Sequence, residues 1–194
     1  MADILSISLQ MVFGTPILMM LLWIQSYEET ITNGFLGGYS QKSIFLRDVL
    51  KEWYVKGCGE EIQDIDAIIE FLRPYTIGYE IIVVGNSAGG YLAVILGNAL
   101  NAKCVIDISG QVNIWQYAED EKQYPELNAE RDNPKVSKYY NIQELLNNMQ
   151  TPIFYFYASG CRQDVEQWQL IQNGNNVFSF AFFFKESWSY SISI

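Results

Sequence analysis

The sequence predicts an α/β domain built on a mostly parallel sheet, with helices on both faces. Two observations carry this prediction. Short apolar runs alternate along the chain with longer amphipathic ones, the pattern of repeated strand–helix units. One of the runs, EIIVV at 80–84, is apolar without a break from Ile81 to Val84, as befits a strand buried on both faces of a parallel sheet. The composition allows it: of 194 residues, 49% are apolar and 18% charged, enough to bury a large core and incompatible with global disorder.

Taken in order, residues 7–13 (ISLQMVF) read as the first strand, broken by Gly14, Thr15 and Pro16. A helix is expected over 17–31, then a Gly-rich turn over 33–40 (NGFLGGYS) and a second strand over 43–47 (SIFLR). Asp48 is placed to cap a short helix whose Val49, Leu50, Trp53 and Tyr54 share one face, ended by Gly57 and Gly59. The clearest helix spans 61–73, with Ile62, Ile65, Ile68, Ile69 and Leu72 at helical spacing and Pro74 just past its end. After the strand at 80–84 come a tight turn over 85–90, an apolar helix over 91–100 and a strand over 103–108 (KCVIDI). From 111 to 150 the chain turns polar, rich in Tyr, Asn and Glu, with Pro125 and Pro134 and a helix near 142–149. A strand over 152–157 (PIFYFY), a helix over 163–172 and a last strand over 177–182 (VFSFAF) follow. No repeat or low-complexity tract interrupts this order, so residues 1–194 are expected to form one domain.

Charge and residue counts narrow the function. Twelve Lys and Arg against 22 Asp and Glu leave a net charge of −10, which repels nucleic acid and anionic membrane surfaces alike. The apolar run at 16–24 is too short to cross a bilayer, which takes about 20 apolar residues. No Lys or Arg precedes Lys42, so the N-terminus is expected to be core and not a targeting segment. Three scattered cysteines, Cys58, Cys104 and Cys161, without a Cys-x-x-Cys, suit a reducing, cytoplasmic setting. No metal site or cofactor is expected. There is no histidine, which removes His-ligated metals and any Ser-His-Asp machine contained within this chain.

The chemistry-bearing motif is Gly85-Asn86-Ser87-Ala88-Gly89, a G-x-S-x-G that directly follows an apolar strand and directly opens a helix. That setting defines a nucleophile elbow, in which a strained strand-to-helix turn lifts the serine hydroxyl above the sheet edge. It leaves the Ala88 N–H at a helix N-terminus, aimed at developing negative charge. A dinucleotide-binding turn needs G-x-G-x-x-G and a phosphate loop needs Gly-Lys-Ser/Thr, and neither is present.

The stretch GNSAGGYLAVILG resembles the elbow of the α/β-hydrolase superfamily, and the order of elements over about 7–182 is similar to that family's core. IFLRDVLKEWYVKG looks like the small hydrolases often encoded with polysaccharide or cell-surface functions. The resemblance implies a serine esterase acting on small acyl esters or acylated sugars, with Ser87 as nucleophile. It implies Asp164, in the loop after PIFYFY, as the acid that orients a base; the same carboxylate also suits the start of a helix. It implies the loop after the family's third strand, here Gly14 and Thr15, as the second oxyanion donor beside Ala88. Asp48, at the elbow edge, is expected to cap backbone rather than touch substrate. The segment at about 111–150 stands where such folds insert a cap. Its Trp115, Tyr117, Tyr124, Tyr139 and Tyr140 are expected to pack it onto the body rather than line a pocket.

The family's histidine belongs in the loop after the last strand. Here that loop reads Phe183-Phe184-Lys185-Glu186-Ser187-Trp188, with Lys185 as its one base, protonated at neutral pH. The tail over 183–194 has no helical periodicity to replace the family's closing helix. The chain therefore reads as a hydrolase short of its last loop and helix, a truncated form or pseudoenzyme of impaired activity. A shifted reading frame would account for it: with Ser187 encoded by TCA, the next frame reads His-Gly at this point. A bare apolar surface near 177–184, prone to self-association, is expected to result.

Overall fold

The computed structural model describes residues 17–23, 41–48 and 50–183. Its frame is a six-stranded parallel sheet in the order β2-β1-β3-β4-β5-β6. The strands are β1 (Ile17–Trp23), β2 (Gln41–Arg47), β3 (Glu80–Asn86), β4 (Cys104–Ile108), β5 (Ile153–Ala158) and β6 (Val177–Phe182). The helices are α1 (Ile65–Thr76), α2 (Ala88–Ala99), α3 (Pro125–Ala129), α4 (Pro134–Ser137), α5 (Gln143–Asn148) and α6 (Arg162–Ile171), with a 3₁₀ turn at Tyr117–Glu119. Parallel strands cannot be joined by tight hairpins, so each pair is separated by a crossover, and the loops after every strand collect at one sheet edge.

The sheet corrects the reading of the chain's start. Ile17–Trp23, expected to be helical, is the strand between β2 and β3, with Ile17 opposite Glu80 and Leu22 opposite Gly85. Met20 at its centre is fully buried. Seven consecutive apolar residues suit a strand covered on both faces as well as a buried helix, and periodicity does not separate the two. The expected strand at 7–13 and the turn at 33–40 lie outside the described residues.

The short helix expected after Asp48 is replaced by a run of turns. Lys51, Trp53 and Tyr54 take left-handed φ of 60°, 54° and 58°, which no helix accommodates. Asp48 holds this loop by accepting from the Lys51 and Tyr54 N–H groups (3.0 and 3.2 Å). Its expected capping role is thus met in a different local structure. Trp53 and Tyr54 are buried, while Leu50 is 51% exposed. Gly57, at φ 69°, has no room for a Cβ against the Ile62 carbonyl.

Helix α1 begins later than expected because Asp64, in extended backbone, accepts from the Ala67 N–H (2.7 Å) as its N-cap. It runs through Pro74, placed in the last turn, and Thr76 Oγ1 closes it by donating to the Arg73 carbonyl (2.7 Å). Ile65, Ile68, Ile69 and Leu72 face the core. Helix α2 is buried over ten consecutive residues, Ala88 to Gly97. It lies on the sheet face that carries Val83, Val105 and Tyr155, all fully buried. On the opposite face Ile82, Val84, Ile106, Ile108, Phe154 and Phe156 are only half-buried.

Segment 111–150 packs onto this body through its aromatics, as expected. The Tyr91 hydroxyl of α2 donates to the Tyr139 carbonyl (2.7 Å), while within the segment the Tyr140 hydroxyl donates to the Leu127 carbonyl (2.6 Å). Trp53 stacks on Tyr117 at 4.6 Å and meets Tyr124 edge-on at 5.1 Å. Glu52, 5% exposed, accepts from the Leu127 N–H (2.7 Å). No helix among the described residues is long and apolar enough to cross a membrane.

Candidate active site

Ser87 sits between β3 and α2 with φ 54° and ψ −121°, a backbone state that L-residues rarely adopt. Two backbone bonds hold it there. Its N–H donates to the Ile108 carbonyl at the end of β4 (2.8 Å), and its carbonyl accepts from the Tyr91 N–H (3.1 Å). The side chain is half-exposed and makes no capping bond to α2. The hydroxyl is thereby presented at the C-terminal edge of the sheet, beside the first-turn N–H groups of α2, which have no intrahelical acceptors.

The glycines explain how chain and sheet come this close. A Cβ on Gly85 would run into the Gly89 carbonyl, so the strand can pass directly under the helix start only without a side chain there. A Cβ on Gly90 would collide with the Asp107 carboxyl and the Gly110 Cα. The glycine that admits β4 is therefore Gly90, one place beyond the motif.

Asp164 lies in the first turn of α6 and is 5% exposed. Its Oδ2 accepts from the Ser109 hydroxyl (2.7 Å) and the Ala158 N–H (3.1 Å), at the ends of β4 and β5. Among the described residues only Oδ2 is so engaged, which leaves Oδ1 available. Ser87 and Asp164 are not bonded to each other. Ile108 receives the Ser87 N–H, and the next residue, Ser109, donates to Asp164, so a single peptide unit of β4 references both groups. Ser109 is itself buried and held at φ 53°.

Sequence reasoning missed three members of this neighbourhood. Asp107 is 2% exposed beneath α2; its Oδ1 accepts from the Gly110 N–H (2.8 Å). Burial first, then the charge of Asp164, pushes its carboxyl up to about 8. Gln167, 6% exposed, accepts from the Val112 and Asn113 N–H groups (2.7 and 3.1 Å) and fixes segment 111–150 to α6. Gln111 accepts from the Trp53 indole (2.7 Å) and donates to the Ser109 carbonyl (3.1 Å). An acid inside an apolar strand with glycine three residues on was the available signal for Asp107. The two glutamines had none. Asp48, also at this edge, is pushed up to about 6, chiefly by burial.

Gly14 and Thr15, read as oxyanion donors, lie outside the described residues, and their assignment rested on the strand now corrected. The strand beside β3 starts at Ile17, after both of them, and its end at the elbow edge is Trp23. Lys185 also lies outside the described residues. The end of β6 is tied to the residue after β5, since the Ser159 N–H and hydroxyl both donate to the Phe182 carbonyl (2.7 and 3.0 Å). A cleft of about 410 Å³ between the 3₁₀ turn and α6 is lined by Gln116, Tyr117, Arg162, Gln163 and Glu166, apart from Ser87. Among the described residues no three His, Cys, Asp or Glu side chains are grouped to hold a metal ion.

The fold is shared with solved structures. The chain is similar to a lipase-esterase related protein from Clostridium acetobutylicum (16% identity over 89% of this chain and 87% of that one, TM-score 0.58). It is similar to the capsule O-acetyltransferase of Neisseria meningitidis serogroup A (12%, 86% and 78%, TM-score 0.60). It is also similar to MGS-MChE2, an α/β-hydrolase enzyme from a lagoon-sediment metagenome (13%, 88% and 81%, TM-score 0.55). No protein-family model and no curated protein matches the chain. The fold is that of the α/β-hydrolase superfamily.

Proposed function

We propose that the chain is a serine hydrolase of the acyl-esterase type whose catalytic set lacks its base. The observation that carries this reading is the strained backbone of Ser87, with a positive φ held by bonds to β4 and α2. In this reading Ser87 Oγ attacks the carbonyl of a small acyl ester or acylated sugar. The Ala88 N–H stabilises the resulting oxyanion. The alcohol leaves, and water releases the acyl group from Ser87. Asp164 Oδ1 is the site at which an imidazole would be oriented. With no histidine in the chain, Ser87 is left a weak nucleophile. An oxyanion hole and binding site alone sustain roughly 10³ to 10⁴-fold over water, far below a complete set.

The test is a fluorophosphonate probe. Slow labelling of the wild type, lost in Ser87→Ala, is expected. Added imidazole should accelerate it, and Asp164→Asn should cancel the acceleration. Absence of labelling in folded protein, with and without imidazole, would overturn the proposal.

The missing histidine favours a second reading, a pseudoenzyme that binds an acyl ligand without turning it over. This reading requires ligand binding that Ser87→Ala leaves unchanged and no turnover of short-chain acyl esters. A measurable esterase rate abolished by Ser87→Ala rules it out.

A further inference from the structure

A cleft opens between the 3₁₀ turn of segment 111–150 and the first turns of α6. Its volume of about 410 Å³ is at the small end of ligand pockets, which run from about 300 to 1,000 Å³. Its lining is unlike that of an acyl pocket. Gln116, Arg162, Gln163 and Glu166 all carry planar hydrogen-bonding groups, Tyr117 adds a ring, and no aliphatic side chain among the described residues lines it. The Gln116 and Gln163 amides have no hydrogen-bond partner among the described residues, whereas those of Gln111 and Gln167 are bonded to the Ser109 and Asn113 carbonyls. Arg162 Nε donates to Glu166 Oε1 (2.7 Å), which balances the charge of the lining and leaves the other guanidinium N–H groups for a ligand. Tyr117 is a fixed wall, since Trp53 stacks on it at 4.6 Å and Tyr124 meets it edge-on at 5.8 Å.

Both walls lead back to the end of β4. Arg162 and Gln163 immediately precede Asp164, whose Oδ2 accepts from the Ser109 hydroxyl (2.7 Å). On the other side Trp53, stacked on Tyr117, donates to Gln111, and Gln111 donates to the Ser109 carbonyl (2.7 and 3.1 Å). Ile108, next to Ser109, accepts from the Ser87 N–H. The cleft thus lies on the Asp164 side of the elbow. In serine-hydrolase chemistry the group that the acid orients also protonates the departing alcohol, so the alcohol part of an ester lies on the acid's side of the nucleophile. We propose that this cleft receives that alcohol part and that it is a neutral sugar, so that the ester cleaved is an O-acyl group on an uncharged sugar ring. Assigning the cleft to the alcohol part rests on the serine-hydrolase reading. The preference for a sugar rests on the lining alone.

Three features select a neutral sugar over other alcohols. Each sugar hydroxyl both donates and accepts, which matches two carboxamides, a guanidinium and a carboxylate; an alkyl alcohol would cover these groups without bonding them. Tyr117 supplies apolar surface for the C–H side of a sugar ring. The Arg162–Glu166 pair leaves no net charge to hold a carboxylate or phosphate. Glu119, Asp120 and Glu121, which follow closely after Tyr117 in a chain of net charge −10, repel an anionic sugar.

The test is saturation-transfer NMR on the full chain with unacylated methyl β-glycosides of glucose, galactose, N-acetylglucosamine and xylose at millimolar concentration. At least one should take up saturation, while methyl β-glucuronide and cyclohexanol should not. Gln116→Ala combined with Gln163→Ala should reduce the signal severalfold. Gln169→Ala, at an exposed position of the same helix outside the cleft, should leave it unchanged. Fluorophosphonate labelling of Ser87 is read separately. Glycoside binding without labelling supports the sugar cleft and removes the hydrolase reading; labelling without glycoside binding does the reverse. The proposal is overturned by no saturation of any glycoside, by equal saturation of cyclohexanol or the glucuronide, or by a signal that survives the double glutamine substitution.

Discussion

Replacing Gly90 by alanine sets local helix propensity against tertiary packing, and the two disagree in sign. Gly90 lies inside α2, where alanine is favoured over glycine by about 1 kcal/mol. Propensity alone therefore predicts a more stable protein. The structure predicts the opposite. The new methyl would overlap the Asp107 carboxyl and crowd the Gly110 Cα, with Asp107 fixed by its bond from the Gly110 N–H. Overpacking of a tight core costs about 1–3 kcal/mol. Displacing Asp107 leaves buried polar groups unpaired, about 1–3 kcal/mol more. Against the propensity gain, the net is a loss of roughly 1–5 kcal/mol. For a chain of this length each kcal/mol moves Tm by about 2–4 °C, so Gly90→Ala should melt about 2–20 °C lower by calorimetry. The companion Gly78→Ala isolates backbone conformation, because Gly78 sits at φ 81° with nothing near its missing Cβ. It should lose only about 1 kcal/mol. An unchanged or raised Tm for Gly90→Ala would refute the argument that β4 and α2 require that glycine.

Two further predictions concern the buried groups around the elbow. Asp107 is held up to about 8 against an ordinary 3.8, so the folded state keeps a proton that the unfolded state releases. Stability is then greatest below about pH 4 as far as this group is concerned, and it is lost as pH rises toward 8, with Asp48 contributing over the lower part of that window. Urea midpoints from pH 5 to 8 should fall in the wild type and fall less steeply in Asp107→Asn, and equal slopes would count against the buried acid. Ser87→Gly should abolish probe labelling while stabilising the fold. Relief of about 1–3 kcal/mol of backbone strain exceeds the roughly 0.5–1 kcal/mol entropic cost of glycine, and a lower Tm in this variant would deny that Ser87 is strained.

What the sequence disclosed follows from how far apart the determining groups lie. The unit from β3 through the elbow to α2 and β4 was legible almost to the residue, because an unbroken apolar strand, a glycine turn and an apolar helix are local signals. Asp164 was singled out in the segment after β5, and it lies buried in the first turn of α6. The loop from Asp48 to Gly59 was not. Its conformation depends on a carboxylate reaching forward to the Tyr54 N–H, on Glu52 meeting Leu127, and on left-handed backbone at a lysine, a tryptophan and a tyrosine. Residue types that ordinarily avoid such backbone give no local hint of it.

The misreading of Ile17–Trp23 shows how one local ambiguity spreads. A run of seven apolar residues satisfies a central strand and a core helix equally, and only its pairing with both β2 and β3 decides. Taking it as a helix placed the first strand ten residues toward the N-terminus, the strand from which the expected oxyanion donors Gly14 and Thr15 were counted. Ser87 and Asp164 are untouched by this displacement because each is tied to the end of β4. The Ser87 N–H bonds the Ile108 carbonyl and the Ser109 hydroxyl bonds Asp164, so the spacing of the two groups is set by one strand end. A site referenced to a single peptide unit keeps its geometry when loops elsewhere change.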